Sequence, residues 1–487
     1  MFLGIDVGTT GIKGLVVDRN GNVLNGYTHP LELSIPYAGW AEQNPEDWFD
    51  GVIAILKRVA EDYRIDGIGF SGQMHSLVCL DKEGKILRNA ILWCDQRTTV
   101  QCREATEKMG GEEAVIEAIS NPILEGFTLG KILWIKENEP EIYREIDKIM
   151  LPKDYICMKL GGSFGIDYSD ASGTALFDVS EGLWNLNIIE TLEIDEKILP
   201  PVFDSHAKRG LLKEELTRQF GWKETYLVSG GADNAVAAYG IGIAKPGDTM
   251  VSIGTSGTVL TATEETEPDF VGGVHLFRHV IPSQRYYMGV MLSAAHSLNW
   301  AIKNFGITDD FTILEGQIKT VNPGSDGLLF LPYLNGERTP HRDPDARAVL
   351  FGISSKTTRA EIARAVIEGV TFGLRDSFEL IKTKTKITNI RIVGGGAKNR
   401  TWCTILADNF KLPVSIPEND EGGAYGAAML AAKADGISDE EIASWISLKE
   451  TIEPNPENYA RYDVIYEQFK GLYRDLKERF KTVSQLP

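Results

Sequence analysis

The feature that most constrains the fold of this chain is a glycine-containing strand–turn–strand pattern that occurs twice. The segment GIDVGTTGIKGL at residues 4–15 is echoed by VSIGTSGTVLTA at residues 251–262. In each copy a short apolar run predicts a strand, a tetrapeptide with glycine at both ends predicts a tight turn, and a second apolar run predicts the returning strand. Two such hairpins, one in each half of the chain, indicate an internal duplication.

The elements that follow each hairpin repeat in the same order. In the first half, the spacing of apolar residues predicts a helix over Pro45–Glu61 and a strand over Ile65–Ser71. In the second half, it predicts a long helix over Arg359–Ile381 and a strand over Ile387–Val393. The sequence therefore predicts two copies of one βββαβ-type α/β unit, each carrying large insertions.

Each half closes with a predicted helix that is rich in Gly and Ala, at residues 230–242 and 421–432. Small residues let backbones approach closely, so these helices could cross at a domain boundary; ordinary core helices are the alternative. We predict one domain over residues 1–242 and a second over 243–455. The segment 456–487 is predicted to be a helix packed on the domains, because aromatic and aliphatic residues recur there every three or four positions.

Bulk composition excludes several functional classes. The formal net charge of −19 argues against nucleic acid or an anionic membrane as the partner. No apolar run reaches the ~18–20 residues that span a bilayer, and the first residues do not resemble a signal peptide. The five cysteines include no C-x-x-C pair, so neither a disulfide framework nor a zinc site is indicated. A cytoplasmic protein is expected.

The first hairpin suits the binding of a polyphosphate. The backbone N–H groups of its turn and the hydroxyls of Thr9 and Thr10 are donors, and Lys13 adds a cation. Asp6 could hold Mg²⁺ through water, because Mg²⁺ keeps several waters and takes few carboxylates. A plain β-hairpin is the alternative, which the second copy makes less favoured. Ser252 stands in that copy where the first has Asp6.

Asp233 is the candidate for proton transfer. It follows Gly230-Gly231-Ala232 at the predicted start of a helix, where the helix dipole favours the charged form of a carboxylate. An N-cap role is the alternative. Met74 and His75 follow another predicted strand, and open α/β sheets bind ligands at the carboxyl ends of their strands. His75 by itself is equally consistent with a structural histidine.

Together these features resemble the FGGY carbohydrate kinases over essentially the full chain. FTLGKILWIKENEP at residues 127–140 is similar to the first signature of that family, and residues 368–408 are similar to the second. Segments 71–81, 91–98 and 327–354 are similar to the members that act on xylulose. The resemblance implies an α/β protein with two domains of duplicated actin/hexokinase-like (ribonuclease H-like) fold around a central catalytic cleft.

The resemblance also implies a reaction, in which the γ-phosphoryl group of ATP, with Mg²⁺, is transferred to O5 of D-xylulose. Asp233 would be the general base, and Asp6 would support the Mg-nucleotide. The sugar would contact Met74, His75, Asp233 and Asn234; the phosphates would contact Thr9, Thr10, Lys13 and Thr255; and the nucleoside would lie on Gly395, Gly396 and Asn399.

Two alternatives stay open at this point. The first is another kinase of the family, acting on ribulose, gluconate or another polyol, and the second is a non-catalytic ATP-binding or sensor protein with the same fold. The joint presence of Asp233, Asp6 and Lys13 favours catalysis. A small sugar and ATP are the expected partners, and a homodimer is compatible with the sequence.

Overall fold

A computed structural model describes residues 1–486 and contains one large mixed β-sheet from each half of the chain. The strands of the first half are β1 (Phe2–Val7), β2 (Gly11–Val17), β3 (Val23–Pro30), β4 (Glu42–Gln43), β5 (Gly67–Gly72), β6 (Val78–Leu80), β7 (Ala90–Ile91), β8 (Lys148–Met150), β9 (Ile166–Asp167), β10 (Phe177–Asp178), β11 (Leu183–Trp184), β12 (Val202–Phe203), β13 (Lys208–Leu211), β14 (Tyr226–Val228) and β15 (Gly231–Ala232). Its helices are α1 (Pro45–Asp62), α2 (Thr99–Lys108), α3 (Glu112–Ile119), α4 (Thr128–Asn138), α5 (Pro140–Glu145), α6 (Pro152–Leu160), α7 (Tyr168–Ser172), α8 (Leu186–Thr191), α9 (Glu214–Phe220) and α10 (Asp233–Gly240).

The second half continues the same alternation of strands and helices. Its strands are β16 (Asp248–Ile253), β17 (Gly257–Thr263), β18 (His275–Arg278), β19 (Arg285–Met291), β20 (Leu329–Leu331), β21 (Val349–Phe351), β22 (Asn389–Val393), β23 (Val414–Pro417) and β24 (Leu448–Ile452). Its helices are α11 (Ala295–Phe305), α12 (Phe311–Lys319), α13 (Arg359–Lys382), α14 (Arg400–Phe410), α15 (Gly423–Ala434), α16 (Asp439–Ser444) and α17 (Tyr459–Ser484).

The two large sheets share one topology. Six strands of the first sheet run in the order β3-β2-β1-β5-β14-β13, and six of the second run β19-β17-β16-β22-β23-β24. In both, the first three strands are antiparallel, the next two join in parallel, and the last is antiparallel. The duplication predicted from the paired hairpins is therefore confirmed, and each sheet with its insertions forms one lobe of the molecule.

Side-chain alternation along β1 divides its residues between two faces of the first sheet. Leu3, Ile5 and Val7 are fully buried in one hydrophobic cluster with Trp48 of helix α1. Gly4 lies on the other face, where a Cβ atom would stand 1.8 Å from the carbonyl oxygen of Ala424 in helix α15. Asp6 is the last residue of β1 on the same face as Gly4, and its side chain therefore lies at the edge of the sheet, between the lobes.

The two helices rich in small residues cross closely, as their composition predicted. At the crossing of α10 and α15, a Cβ atom added to Gly426 would lie 2.0 Å from the carbonyl oxygen of Val236. Helix α15 comes from the second half of the chain, yet it covers β1 and β5 of the first sheet. Only glycine permits backbones to approach this closely, so the glycine pattern fixes how the lobes are joined.

Helix α17 buries one aromatic stripe against the second lobe. Tyr462, Tyr466, Phe469, Tyr473 and Phe480 are buried there in one cluster with α13 and α14. The predicted helix within 456–487 is thus present, although Pro487 lies outside the described residues. The boundary predicted between residues 242 and 243 stays a prediction. Among residues 1–486, no helix combines the length and the apolar character needed to cross a bilayer.

Candidate active site

Asp6 lies at the end of β1, facing the cleft between the lobes. Its Oδ1 atom is buried and has no hydrogen-bond partner among residues 1–486. Burial raises the pKa of Asp6, and the nearby Ser71 hydroxyl and the charge of Lys13 offset part of that effect. Ser252 holds the matching position in β16, and both residues line the same cavity. The duplication therefore brings one carboxylate and one hydroxyl together, as the alignment of the two hairpins predicted.

The first hairpin is held in place by side chains from neighbouring loops. Trp93 donates its Nε1–H to Thr9 Oγ1 at 2.9 Å, and Gln43 donates to the Thr9 carbonyl oxygen at 2.7 Å. The next residue, Thr10, is exposed. Lys13 Nζ forms an ion pair at 2.5 Å with Glu421, which precedes helix α15. The predicted phosphate-binding cation is thus paired across the cleft with a carboxylate from the other half of the chain.

The second hairpin presents an exposed turn to the cleft. The side chain of Thr255 is exposed, while its backbone carbonyl accepts the N–H of Ala294 at 2.9 Å. Ser256 and Thr258 line the cavity that also contains Asp233. Both turns are therefore anchored through their backbones and leave donors free on the cleft side.

Asp233 is the first residue of helix α10 and does not act as its N-cap. The N-cap residue is Ala232, and Asp233 Oδ1 instead accepts the backbone N–H and the side-chain Nδ2–H of Asn234, at 2.7 and 2.9 Å. Burial and the negative charge of Asp6 raise the pKa of Asp233 to about 7. The helix dipole favours the charged form, but desolvation and a like charge outweigh it, so the pKa of Asp233 is raised.

Two cavities meet at Asp233 and Asn234, and both residues line both of them. The first, of about 240 Å³, also contains Asp6, Ser252 and the turn preceding α15. The second, of about 260 Å³, is lined by side chains from both lobes, among them Met74, His75, Trp93, Phe127, Ser256, Met288 and Arg338. The arrangement places the Asp233 carboxylate between a compartment that also contains the carboxylates of Asp6 and Asp420 and a compartment bounded mainly by apolar and aromatic side chains.

His75 and Met74 lie in the second cavity, as predicted. His75 Nδ1 donates to the carbonyl oxygen of Gly173 at 2.6 Å, and its ring packs on Phe127 with centroids 4.6 Å apart. Burial, with the charges of Lys131 and Arg338, lowers the pKa of His75 to about 3. The ring is therefore neutral and its Nε2 is an acceptor. The contact with Gly173 is structural, and the contact of His75 with a sugar stays a prediction.

The three residues predicted to cradle the nucleoside lie in the turn after β22. Gly395 is exposed, and a Cβ atom on Gly396 would lie 2.5 Å from Ile253 at the end of β16. Asn399 caps helix α14, since its Oδ1 accepts the N–H of Trp402 at 3.0 Å, and its Nδ2 is buried without a partner among the described residues. The turn is therefore shaped by packing, with Gly395 as its accessible residue.

Sequence reasoning missed several residues that the structure brings to this cleft. Trp93 and Arg338 line the second cavity, Asp420 lines the first, and Glu421 pairs with Lys13. Trp93 and Arg338 both lie within segments whose similarity to sugar kinases was noted. No local pattern marks the two acidic residues, because their roles depend on contacts with the other half of the chain.

The donor set at Asp6 fits a hydrated Mg²⁺ ion. Within residues 1–486, no group of three or more His, Cys, Asp or Glu side chains could hold a metal by itself. Mg²⁺ in phosphoryl-transfer sites keeps waters and uses one or two carboxylates together with substrate phosphates. The unpartnered Oδ1 of Asp6, beside Asp233, meets that requirement.

Comparison with known proteins agrees with this geometry. Residues 1–240 match the N-terminal domain, and residues 249–434 the C-terminal domain, of the FGGY family of carbohydrate kinases. The chain is 41% identical to the xylulose kinase of Lactococcus lactis over 98% of this chain and 97% of that protein. Its fold is similar to that of a xyloylose kinase from Brucella ovis (TM-score 0.91, 34% identity, 98% and 99% of the two chains). It is also similar to a gluconate kinase from Lactobacillus acidophilus (TM-score 0.93, 27% identity, 99% of each chain).

These matches extend over nearly the whole chain and cover both lobes. They confirm the actin/hexokinase-like fold that the resemblance implied. The chain belongs to the FGGY family of carbohydrate kinases.

Proposed function

We propose that this protein transfers the γ-phosphoryl group of ATP to O5 of D-xylulose, giving D-xylulose 5-phosphate and ADP. The observation that carries the proposal is the position of Asp233, which lines both cavities of the cleft. An acceptor hydroxyl in the second cavity and a phosphoryl group in the first would meet at this residue. The identity of 41% with a xylulose kinase over nearly the full chain supports the choice of sugar.

Asp233 acts as the general base in this mechanism. With a pKa of about 7, it is partly ionised at neutral pH and matched to accept a hydroxyl proton, a contribution on the order of 10²–10⁴-fold. The O5–H bond breaks as the new O5–P bond forms, the β,γ-bridging oxygen leaves with ADP, and the proton passes from Asp233 to solvent. Asn234 holds the carboxylate through the two hydrogen bonds to its Oδ1.

The sugar is held by side chains of the second cavity. His75 Nε2 accepts a hydrogen bond from a sugar hydroxyl, because its Nδ1–H is committed to Gly173 and its ring is neutral. Met74 contacts Asn234, whose Nδ2 lies 3.9 Å from the Met74 sulfur, and so links the sugar subsite to the base. The apolar and aromatic side chains of this cavity limit the access of water and so limit wasteful hydrolysis of ATP.

The phosphates lie between the two hairpins. Thr9, Thr10, Lys13 and Thr255 supply donors from the two turns, while Gly395, Gly396 and Asn399 form the nucleoside side. Asp6 would hold Mg²⁺ through water, and the ion would supply positive charge that neutralises the phosphoryl oxygens. Lys13 reaches the phosphates when it leaves Glu421, a partly exposed pair whose loss costs little.

Gluconate is the second candidate substrate. The TM-score with the gluconate kinase, 0.93, is at least as high as the 0.91 with the xyloylose kinase. The second cavity also contains Arg338, whose guanidinium would suit the carboxylate of gluconate. The lower sequence identity, 27% against 41%, makes it the less favoured choice.

A coupled ADP-release assay with D-xylulose, ribulose, glycerol and gluconate tests the proposal. The highest kcat/KM is expected for D-xylulose, and Asp233→Asn is expected to lower kcat about 10²-fold or more. Asp475→Asn, on the exposed face of α17, is the matched control and should leave the rate unchanged. A higher kcat/KM for any other sugar, or an Asp233→Asn enzyme as fast as the parent, contradicts the proposal.

A further inference from the structure

Arg338 reaches the sugar cavity from the second lobe on a firmly anchored loop. It lies between β20 and β21, and its neighbours on both sides bond to β19 and the residues after it. Thr339 exchanges two hydrogen bonds of 3.0 Å with the backbone of Val290, and Glu337 Oε1 accepts the N–H of Leu292 at 3.0 Å. The loop therefore holds the position of Arg338 fixed relative to the second sheet.

The guanidinium of Arg338 lacks a partner in the protein. Among residues 1–486 it forms neither an ion pair nor a hydrogen bond, whereas the neighbouring Arg342 makes two bonds of 2.6 and 2.7 Å to Glu112. Arg338 is half-buried, and burial lowers its pKa. A desolvated cation without an acceptor is costly. A ligand oxygen in the cavity would remove that cost.

Arg338 lies on the sugar side of the cleft, and its charge acts on two histidines. It lowers the pKa of His75 and is the leading charge that lowers the pKa of His275. The pKa of Asp233, by contrast, is raised by burial and by Asp6. Arg338 also lines the cavity of Met74 and His75, and it does not line the cavity of Asp6. These observations favour a contact with the sugar over a contact with the transferred phosphoryl group.

We propose that Arg338 donates charge-assisted hydrogen bonds to the oxygens at the end of the sugar farthest from the phosphorylated hydroxyl. This inference rests on the proposed function, and in D-xylulose those oxygens are the C1 hydroxyl and the C2 carbonyl. His75 and Met74 hold the sugar from the first lobe, while Arg338 holds it from the second. The sugar thereby bridges the lobes, which links its binding to the closure of the cleft.

Steady-state kinetics of Arg338→Met and Arg338→Lys test the contact. A hydrogen bond to a charged group is worth enough to change kcat/KM for D-xylulose roughly 10- to 100-fold. We expect Arg338→Met to lose that factor through KM for the sugar, with KM for ATP within about 2-fold of the parent. Arg338→Lys keeps the charge but has fewer donors in a fixed geometry, so its kcat/KM for D-xylulose should lie between the values of the parent and Arg338→Met.

The matched control is Arg218→Met, since Arg218 makes only an exposed pair within helix α9 and the variant should behave as the parent. An unchanged KM for the sugar in Arg338→Met, or an equal rise in KM for ATP, overturns the proposal. If Arg338→Met does not fold, as judged by its melting temperature, the comparison of Arg338→Lys with the parent decides. If the parent enzyme prefers another sugar, that result refutes the proposed function and does not refute the role of Arg338. The changes in kcat/KM and KM of the Arg338 variants relative to the parent, measured with that sugar, then test the role of Arg338.

Discussion

Replacing Asp233 with asparagine should inactivate the enzyme and at the same time stabilise its fold. Asparagine keeps the shape and the Oδ1 acceptor that binds Asn234, but it carries no charge. In the parent protein the carboxylate must be ionised to act as a base, although burial and Asp6 disfavour that form. The ionised carboxylate of the proposed base therefore destabilises the fold, and a neutral side chain at this position removes that destabilisation.

The size of the effect follows from the pKa of Asp233. Its value of about 7 in the fold compares with an ordinary value of 3.8, and one pKa unit corresponds to about 1.4 kcal/mol. Because the folded protein binds the proton more tightly, this group favours folding at low pH, and that stability is lost as the pH rises through about 7. We expect Asp233→Asn to be about 4 kcal/mol more stable than the parent at pH 8 and about 2 kcal/mol more stable at pH 5.

Urea unfolding at pH 5 and pH 8 measures both values. Fluorescence and circular dichroism should be followed together, because coincident transitions establish that the free energy of unfolding is well defined. Asp475→Asn, with its side chain on the exposed face of α17, should show no such pH dependence. The reasoning fails if Asp233→Asn is less stable than the parent at pH 8, or if its gain is the same at both pH values.

Three further predictions concern the base, the lobe contact and the helix crossing. The kcat/KM for the sugar should fall roughly tenfold between pH 8 and pH 6, as the base takes up a proton. Asp6→Asn should shift this decline of kcat/KM to lower pH. A shift of the decline to higher pH contradicts the proposed charge effect. Glu421→Gln should lower KM for ATP about 2- to 5-fold by releasing Lys13, and a raised KM would show that the pair assists binding. Gly426→Ala should cost about 1–3 kcal/mol in the free energy of unfolding, because the new Cβ meets a carbonyl oxygen at 2.0 Å. Gly316→Ala, where nothing lies within 4 Å in helix α12, should instead gain about 0.5–1 kcal/mol, and equal effects at the two positions would refute the packing argument.

The sequence alone determined the architecture of this protein. The paired hairpins predicted the duplication, and helices α1 and α13 begin where the predicted helices Pro45–Glu61 and Arg359–Ile381 begin and end one residue later. The small-residue helices cross as their composition implied, with Gly426 against Val236. These features are readable because periodicity, turn chemistry and glycine act over a few neighbouring residues.

The tertiary structure alone decided the chemistry of the cleft. Burial and the nearby charge of Asp6 raise the pKa of Asp233, where the helix terminus by itself predicted the opposite. Lys13 finds a partner 408 residues away, and Arg338 reaches the second cavity from the other lobe, which its place within segment 327–354 does not reveal. Desolvation and Coulomb forces depend on distance in space. The sequence could therefore single out Asp233 as the proposed base, but only the folded chain sets its protonation and its neighbours.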